Sequence, residues 1–172
     1  MQVRTFAFAV LVTLGGLAAG ALPATAGSSA PLGYQLMCLK TPAECRGGGA
    51  ASVKATGDIM QTLTSVNSRV NRAIRPRHDA GGADVWSVNV SSGDCEDYAL
   101  TKRHALIKAG LPASALRIAY VKTRRGEDHA ILVVKTTRGD YALDNLHASV
   151  RPLSQTGYRV ISVSGADPLQ WS

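Results

Sequence analysis

The sequence predicts an α+β fold in which helices come first and a run of antiparallel strands follows. Apolar residues recur at intervals of three and four over residues 52–74, which is typical of an amphipathic helix. A second helix is predicted over residues 95–109. Beyond it the pattern changes to alternating or continuous apolar runs of strand length. This order of elements favours an α+β domain in which helices pack on an antiparallel sheet.

Capping and breaking residues set the predicted boundaries. Arg75-Pro76 ends the first helix, because a residue before proline avoids the helical region. Asp94 or Ser92 is placed to cap the second helix, and Gly110 stops it. Strands are predicted at residues 116–121, 130–134, 141–143 and 159–163, with a turn at 136–140.

Residues 1–26 resemble a secretory signal peptide. Arg4 is basic, residues 6–22 are apolar and uncharged, and residues 24–26 form a small-residue cleavage site. A retained membrane anchor is the alternative. Cleavage near Ala26 predicts a periplasmic or secreted protein, with an N-terminal segment at 27–50, a flexible glycine-rich link at 47–49, and one domain at 51–172.

Composition restricts the partners. The 172 residues, 45% of them hydrophobic, suffice for one domain with a core. The formal charge of +7 raises the question of nucleic acid, but no basic stripe with interleaved aromatic residues is present. We expect no nucleic-acid partner, no organic cofactor and a monomer.

The cysteines divide into a pair and a single residue. Cys38 and Cys45 lie close in the sequence with Pro42 between them, so they could close a small disulfide loop. A metal pair is the alternative, although no nearby His or Cys completes a site. Cys95 then remains as the free thiol.

Cys95, His129 and Asp144 are the candidate catalytic residues. Cys95 begins the second predicted helix, where free backbone N–H groups favour a thiolate. His129 would move the proton, and Asp144 would accept the second imidazole N–H. Structural roles are the alternatives: a buried cysteine, an exposed histidine and a turn aspartate.

The register of one predicted hairpin bears directly on this triad. His129 and Asp144 would be direct neighbours if the hairpin centre fell between Thr136 and Thr137. The local turn signal at Arg138-Gly139 instead offsets them by about four residues, roughly 13 Å. The residue pattern leaves both registers open.

Acidic residues surround the candidate nucleophile. Asp94, Glu96 and Asp97 raise a neighbouring thiol's pKa, so an offsetting charge is needed. A His129 imidazolium is one candidate, and a calcium ion bound by these acids is another. The alternative is that they only cap the helix. The oxyanion is expected to bind the Cys95 backbone N–H, with the Trp86 indole N–H as a second candidate donor unless Trp86 is only a lid over the core.

The segments 93–99, 128–132 and 143–146 resemble the bacterial transglutaminase-like cysteine proteinases, in particular the LapG-like group. The resemblance spans roughly residues 32–171 and implies a papain-like fold, a wider hairpin that brings His129 beside Asp144, and periplasmic endopeptidase activity. In the LapG branch it also implies calcium dependence, with Asp94, Glu96 and Asp97 as ligands. It further implies a large surface adhesin as substrate and a LapD-type membrane receptor as regulator.

Three functions are compatible with these residues. The leading hypothesis is an exported cysteine endopeptidase with a protein or peptide substrate. The second keeps the triad but passes the acyl group to an amine or another nucleophile, as in a transglutaminase or amidase. The third is a non-catalytic calcium-binding or peptide-binding module.

Overall fold

Helices precede most of the strands in the computed structural model, which describes residues 1–2 and 28–172. The helices are α1 (Leu32–Lys40), α2 (Gly57–Ala73) and α3 (Cys95–Lys108). The strands are β1 (Ser28–Ser29), β2 (Arg75–Pro76), β3 (Ser92–Gly93), β4 (Leu116–Lys122), β5 (Asp128–Thr136), β6 (Gly139–Leu143), β7 (Arg151–Pro152), β8 (Arg159–Val163) and β9 (Gln170–Trp171).

The main sheet is antiparallel and contains five strands in the order β7-β6-β5-β4-β8. α3 packs on β5 and lies against α2. The arrangement confirms the predicted α+β class. The central strands are longer than predicted, because pairing between β4 and β5 extends to Lys122 and Asp128.

α2 forms where the apolar spacing predicts a helix, but it starts later. It begins at Gly57 rather than near Ser52, because Thr56 caps it by accepting the Ile59 N–H at 3.4 Å. Val53 instead bridges to the end of β5. The buried face of the helix consists of Leu63, Val66, Asn67 and Val70. This face packs α2 against α3.

The segment before α2 is attached to the same core. Tyr34 of α1 is fully buried, and a disulfide joins Cys38 to Cys45 with Cα atoms 5.6 Å apart. Arg103 of α3 is also buried, and its guanidinium donates to the Glu44 carbonyl. The buried guanidinium therefore links the disulfide loop to the central helix.

The glycine-rich stretch at 47–49 is hydrogen-bonded, in contrast to the flexible link expected from its composition. Gly48 N–H donates to Ser114 Oγ at 2.9 Å, and Ser114 N–H donates to the Gly48 carbonyl at 3.0 Å. Paired backbone groups of this kind fix the chain path. Residues 27–50 thus pack on the domain at the positions the structure describes.

Residues 3–27, which hold nearly all of the predicted signal peptide and its cleavage site near Ala26, lie outside the described residues. Within the described ranges, no helix has the length and apolar character needed to cross a bilayer.

The β5–β6 hairpin differs from both registers considered above. Thr136 pairs with Gly139 and Leu132 pairs with Leu143, so the centre lies between residues 137 and 138. The expectation of a wider hairpin was therefore wrong. Thr136 accounts for the tight turn, because its Oγ donates to the Gly139 carbonyl at 2.6 Å and accepts the Arg138 N–H at 3.1 Å.

Candidate active site

Cys95 is the first residue of α3 and is a free, half-buried thiol. Asp94 holds the N-cap position, as predicted, but its side chain makes no capping hydrogen bond. The preceding chain is held instead by Asp97, whose Oδ1 accepts the Ser87 N–H at 2.7 Å. Gly93 lies so close to Asp97 that any β-carbon there would collide with the carboxylate. The helix start is thus packed tightly around Cys95.

His129 and Asp144 are brought together across the hairpin. Continuing the β5–β6 register places Asp144 opposite Ile131, so His129 is its diagonal neighbour on the same face. The two side chains span this offset, with His129 Nε2 2.8 Å from Asp144 Oδ1. Both are buried, at 5% and 2% exposure. The tight hairpin therefore still allows His129 to bond Asp144, so a wider hairpin is not needed for this pair.

Asp144 is an ionised hydrogen-bond acceptor. Burial alone would raise its pKa, but hydrogen bonds from His129, the Tyr158 hydroxyl and the Leu146 N–H outweigh burial and lower the pKa to about 2. Tyr158 donates to Oδ2 at 2.7 Å, and Leu146 N–H donates to Oδ1 at 2.9 Å. A carboxylate can only accept, so His129 Nε2 carries the proton toward Asp144 and Nδ1 is the basic nitrogen.

The backbone that carries Asp144 is anchored by α2. Asn71 Nδ2 donates to the Asp144 carbonyl at 2.9 Å. One turn earlier, Asn67 Nδ2 donates to the carbonyls of His147 and Ala148 at 3.2 and 3.0 Å. Two asparagines spaced four residues apart lie on one helix face. α2 therefore directly anchors the loop at residues 144–148, which carries the Asp144 carboxylate.

Cys95 and His129 line one cleft with a volume of about 880 Å³. The backbone N–H of Ala130, next to His129, interacts with the Cys95 sulfur and favours the thiolate. Glu96 and Asn145 also line the cleft. The structure thus places the predicted nucleophile and base on one concave surface, with the orienting carboxylate of Asp144 buried behind His129.

The surroundings of Cys95 favour the neutral thiol over the thiolate. Burial raises the pKa of Cys95 well above its ordinary value, and the charge and hydrogen bonding of Glu96 raise it further. Cys95 Sγ donates to Glu96 Oε2 at 3.0 Å. The conflict between acidic neighbours and an activated thiol is therefore present in the structure, and neutralising or displacing Glu96 would favour the thiolate.

The three acids do not form a metal cage in this conformation. No group of three His, Cys, Asp or Glu side chains is placed to hold a metal within residues 1–2 and 28–172. Asp97 faces Ser87 and Glu96 faces Cys95. However, burial raises the pKa of Glu96 to about 7, and a hydrogen bond with Asp94 contributes in the same direction. Carboxylate oxygens are the ligands that a hard cation prefers.

Trp86 does not serve the oxyanion, so this part of the prediction was wrong. Its indole N–H donates to Asp84 Oδ1 at 2.7 Å. The ring is buried and packs edge-on against Tyr34 and Tyr120, with centroids 5.2 and 5.8 Å apart. Trp86 therefore belongs to the aromatic core, which is the structural role considered as its alternative. The Cys95 backbone N–H, at the start of α3, is the remaining candidate donor.

Sequence reasoning did not identify Tyr158, Asn71 or Lys102. Tyr158 precedes β8 and Asn71 is one polar residue among several on α2, so neither carries a local signal. Lys102 is fully buried in α3, where a helical pattern gives no reason to expect a charge. Tyr158 and Asn71 reach Asp144 through hydrogen bonds that spacing along the chain does not reveal, and Lys102 interacts with it through its charge.

A free cysteine at a helix N-terminus, facing a histidine–aspartate pair on an antiparallel sheet, defines the class of papain-like and transglutaminase-like thiol enzymes. The family model described as bacterial transglutaminase-like cysteine proteinase (BTLCP) matches residues 24–172. The chain belongs to this family and is a cysteine peptidase.

Solved structures of LapG from Legionella pneumophila are similar to the chain. The calcium-bound form has 27% sequence identity and a TM-score of 0.57, with 66% of this chain and 68% of that chain covered. A second LapG structure has 26% identity and a TM-score of 0.57 over the same shares. The EGTA-treated form has 27% identity and a TM-score of 0.56, covering 66% of each chain. No curated protein matches the sequence.

Proposed function

We propose that the protein is an exported cysteine endopeptidase that uses Cys95, His129 and Asp144 as its triad. The observation that carries the proposal is the hydrogen-bond chain from Tyr158 through the buried Asp144 to the buried His129, which ends at the cleft that Cys95 lines. Export is supported by the leader-like sequence at residues 1–26.

The geometry supports a two-step acyl transfer to water. His129 Nδ1 takes the Cys95 proton, and the thiolate attacks the peptide carbonyl carbon. The tetrahedral intermediate collapses to a thioester as the C–N bond breaks, and His129 returns the proton to the leaving amine. His129 then takes a proton from water, and the hydroxide cleaves the thioester to a carboxylic acid and the thiol. Asp144 keeps the imidazole oriented throughout.

We further propose that the activity depends on calcium. LapG is similar to this chain and has been solved in calcium-bound form. Asp94, Glu96 and Asp97 would hold the ion, which would supply positive charge beside the cleft. Three carboxylates within four consecutive residues support this assignment. Burial raises the pKa of Asp97 to about 6 and the Asp94 charge adds to that rise, so positive charge at this position would be favourable.

We propose a protein substrate at the cell surface, of the adhesin type, and a LapD-type membrane receptor as regulator. Both follow from the resemblance to the LapG-like group. An exported peptidase meets surface proteins in the same compartment, which supports the substrate class.

The test uses the protein exported by an expression host, purified with and without the calcium chelator EGTA. We expect new peptide termini from a proteome-derived peptide library, detected by mass spectrometry. Cys95→Ala and His129→Ala should abolish cleavage, whereas His104→Gln should retain it, because His104 lies away from the cleft and pairs with Glu44. Cleavage that survived Cys95→Ala would refute the triad.

A labelled primary amine tests for acyl transfer, and calcium added after EGTA tests for calcium dependence. A labelled primary amine would become attached to a glutamine-containing protein if the acyl group is transferred to amines rather than to water. Calcium dependence predicts that EGTA slows cleavage and that added calcium restores it. If neither termini nor amine transfer appeared in any condition, a non-catalytic binding module would be favoured.

A further inference from the structure

A second cavity lies next to the active-site cleft. It has a volume of about 410 Å³, and Thr123, Glu127 and Leu146 line both it and the cleft. Its remaining lining includes three arginines, at positions 124, 125 and 151, and Tyr158. We call this cavity the arginine pocket. A peptide bound at Cys95 would therefore pass its opening.

The positive charge of the arginine pocket is not neutralised within the described part of the chain. None of the ion pairs there involves an arginine. The only carboxylate on the lining is that of Glu127, which accepts a hydrogen bond from Thr123 Oγ at 3.4 Å. Three guanidinium groups thus face one carboxylate, and the excess positive charge attracts an anion.

Arg151 gives the clearest sign of a missing ligand. Its Nη2 is buried, yet it has no hydrogen-bond partner among the described residues. A buried donor without a partner costs about 1–3 kcal/mol. Arg124 lies nearby, and its Nε donates to the Thr156 carbonyl at 3.2 Å, which fixes the guanidinium beside the pocket. A carboxylate that reached Arg151 would give Nη2 an acceptor, and it would meet the guanidinium of Arg124 on the same lining.

The arginine pocket also touches the catalytic hydrogen-bond chain. Tyr158 lines the pocket and donates to Asp144 Oδ2. Burial raises the pKa of Tyr158, whereas Arg151 and Arg124 act in the opposite direction, which places both positive charges close to the phenol. A single side chain, that of Tyr158, therefore connects the arginine pocket to Asp144 of the triad.

We propose that the arginine pocket is a substrate subsite that binds the side-chain carboxylate of an aspartate or glutamate close to the scissile bond. Two guanidinium groups offer paired N–H donors, and this geometry matches a carboxylate. The proposal rests on the proposed peptidase function and adds a preference for acidic substrates.

Matched peptides test the subsite. Sites found in the peptide library are remade as acetylated, amidated peptides, so that only side-chain carboxylates remain, with Glu and Gln versions of each. For the exported protein we expect kcat/KM for the Glu peptide at least about tenfold above that for its Gln partner, since tenfold corresponds to a single good ionic contact. Arg151→Gln and Arg124→Gln should each reduce the ratio to below about threefold, mainly by lowering kcat/KM for the Glu peptide.

Controls keep the outcomes separate. Arg69→Gln removes an exposed arginine of α2 and should leave the ratio at its original value. Arg124 is also exposed, so Arg124→Gln tests the subsite even if Arg151→Gln fails to fold. Cys95-dependent cleavage with no acidic preference, or with a preference that both substitutions leave intact, would overturn the subsite alone. Absence of all Cys95-dependent cleavage would overturn the proposed function and the subsite together.

Discussion

Replacing Lys102 by methionine is expected to stabilise the protein at neutral pH. Lys102 lies in α3 with none of its surface exposed, and its Nζ has no hydrogen-bond partner in the described part of the chain. Its compensation comes from the Tyr98 ring, 5.7 Å from Nζ to the centroid, and from the charge of Asp144. Methionine preserves the unbranched stem and removes the buried charge.

The size of the effect follows from the pKa. Burial lowers the pKa of Lys102 from 10.5 to about 7, although Asp144 acts in the opposite direction. Between these values the unfolded chain holds a proton that the folded chain does not, so this residue's contribution to stability rises with pH. At about 1.4 kcal/mol per pKa unit, the whole window corresponds to about 5 kcal/mol. The part between pH 7 and pH 9.5 corresponds to about 3 kcal/mol.

Urea unfolding of the wild type and Lys102→Met at pH 7, 8 and 9.5 measures this difference. The variant should be more stable at pH 7 by up to about 4 kcal/mol, and its advantage should shrink by about 3 kcal/mol at pH 9.5. Lys108→Met, at the exposed end of the same helix, should show neither effect. An advantage that is absent at pH 7, or equal at every pH, would refute the buried-charge explanation.

Three further predictions concern the triad and the start of α3. Tyr158→Phe removes one hydrogen bond to the Asp144 carboxylate, so kcat/KM should fall about tenfold, with a higher acid limit in the pH–rate profile. Asp144→Asn keeps an acceptor oxygen for the imidazole and should retain at least about tenfold more activity than Asp144→Ala, because an asparagine fills this role in papain-like enzymes. Equal activities would argue against the orienting role. Gly93→Ala forces a collision with Asp97 and should lower the free energy of unfolding by about 1–3 kcal/mol in urea titrations. The matched Gly48→Ala, whose β-carbon meets nothing within 4 Å, should cost less.

Hydrophobic periodicity and helix caps, which are local signals, predicted α2 and α3. The apolar positions of α2 face the core because a period near 3.6 places them on one side. α3 begins at Cys95, as predicted from Asp94 or Ser92 as its cap. The hairpin register was not predicted, because Thr136 closes the turn through its own side chain. Such side-chain bonds compete with the glycine signal and are weak in the sequence pattern.

The candidate site shows the same division between local and long-range causes. Motif spacing identified the residues at the cleft, since Cys95 and His129 each sit at the end of a regular element. The geometry of Asp144 was not predictable, because Asn71 and Tyr158 hold it from distant parts of the chain. The Trp86 prediction failed for a local reason. Asp84 lies two residues away, and its carboxylate accepts the indole N–H, which is then not available to an oxyanion.

The distribution of charge around the cleft favours one orientation of a bound acidic peptide. Glu96 and Asp94 lie beside Cys95, whereas Arg124 and Arg151 lie beyond Tyr158 on the Asp144 side. In the calcium-free protein a substrate carboxylate is repelled at the first position and attracted at the second. With the subsite proposed above, an acidic side chain then aligns the peptide with its carboxylate in the arginine pocket and its scissile bond between Cys95 and the imidazole. A peptide in the reverse orientation would bring the same carboxylate toward two like charges, and calcium bound by Asp94 and Glu96 would remove that repulsion. The charges therefore select the direction of the peptide most strongly when calcium is absent.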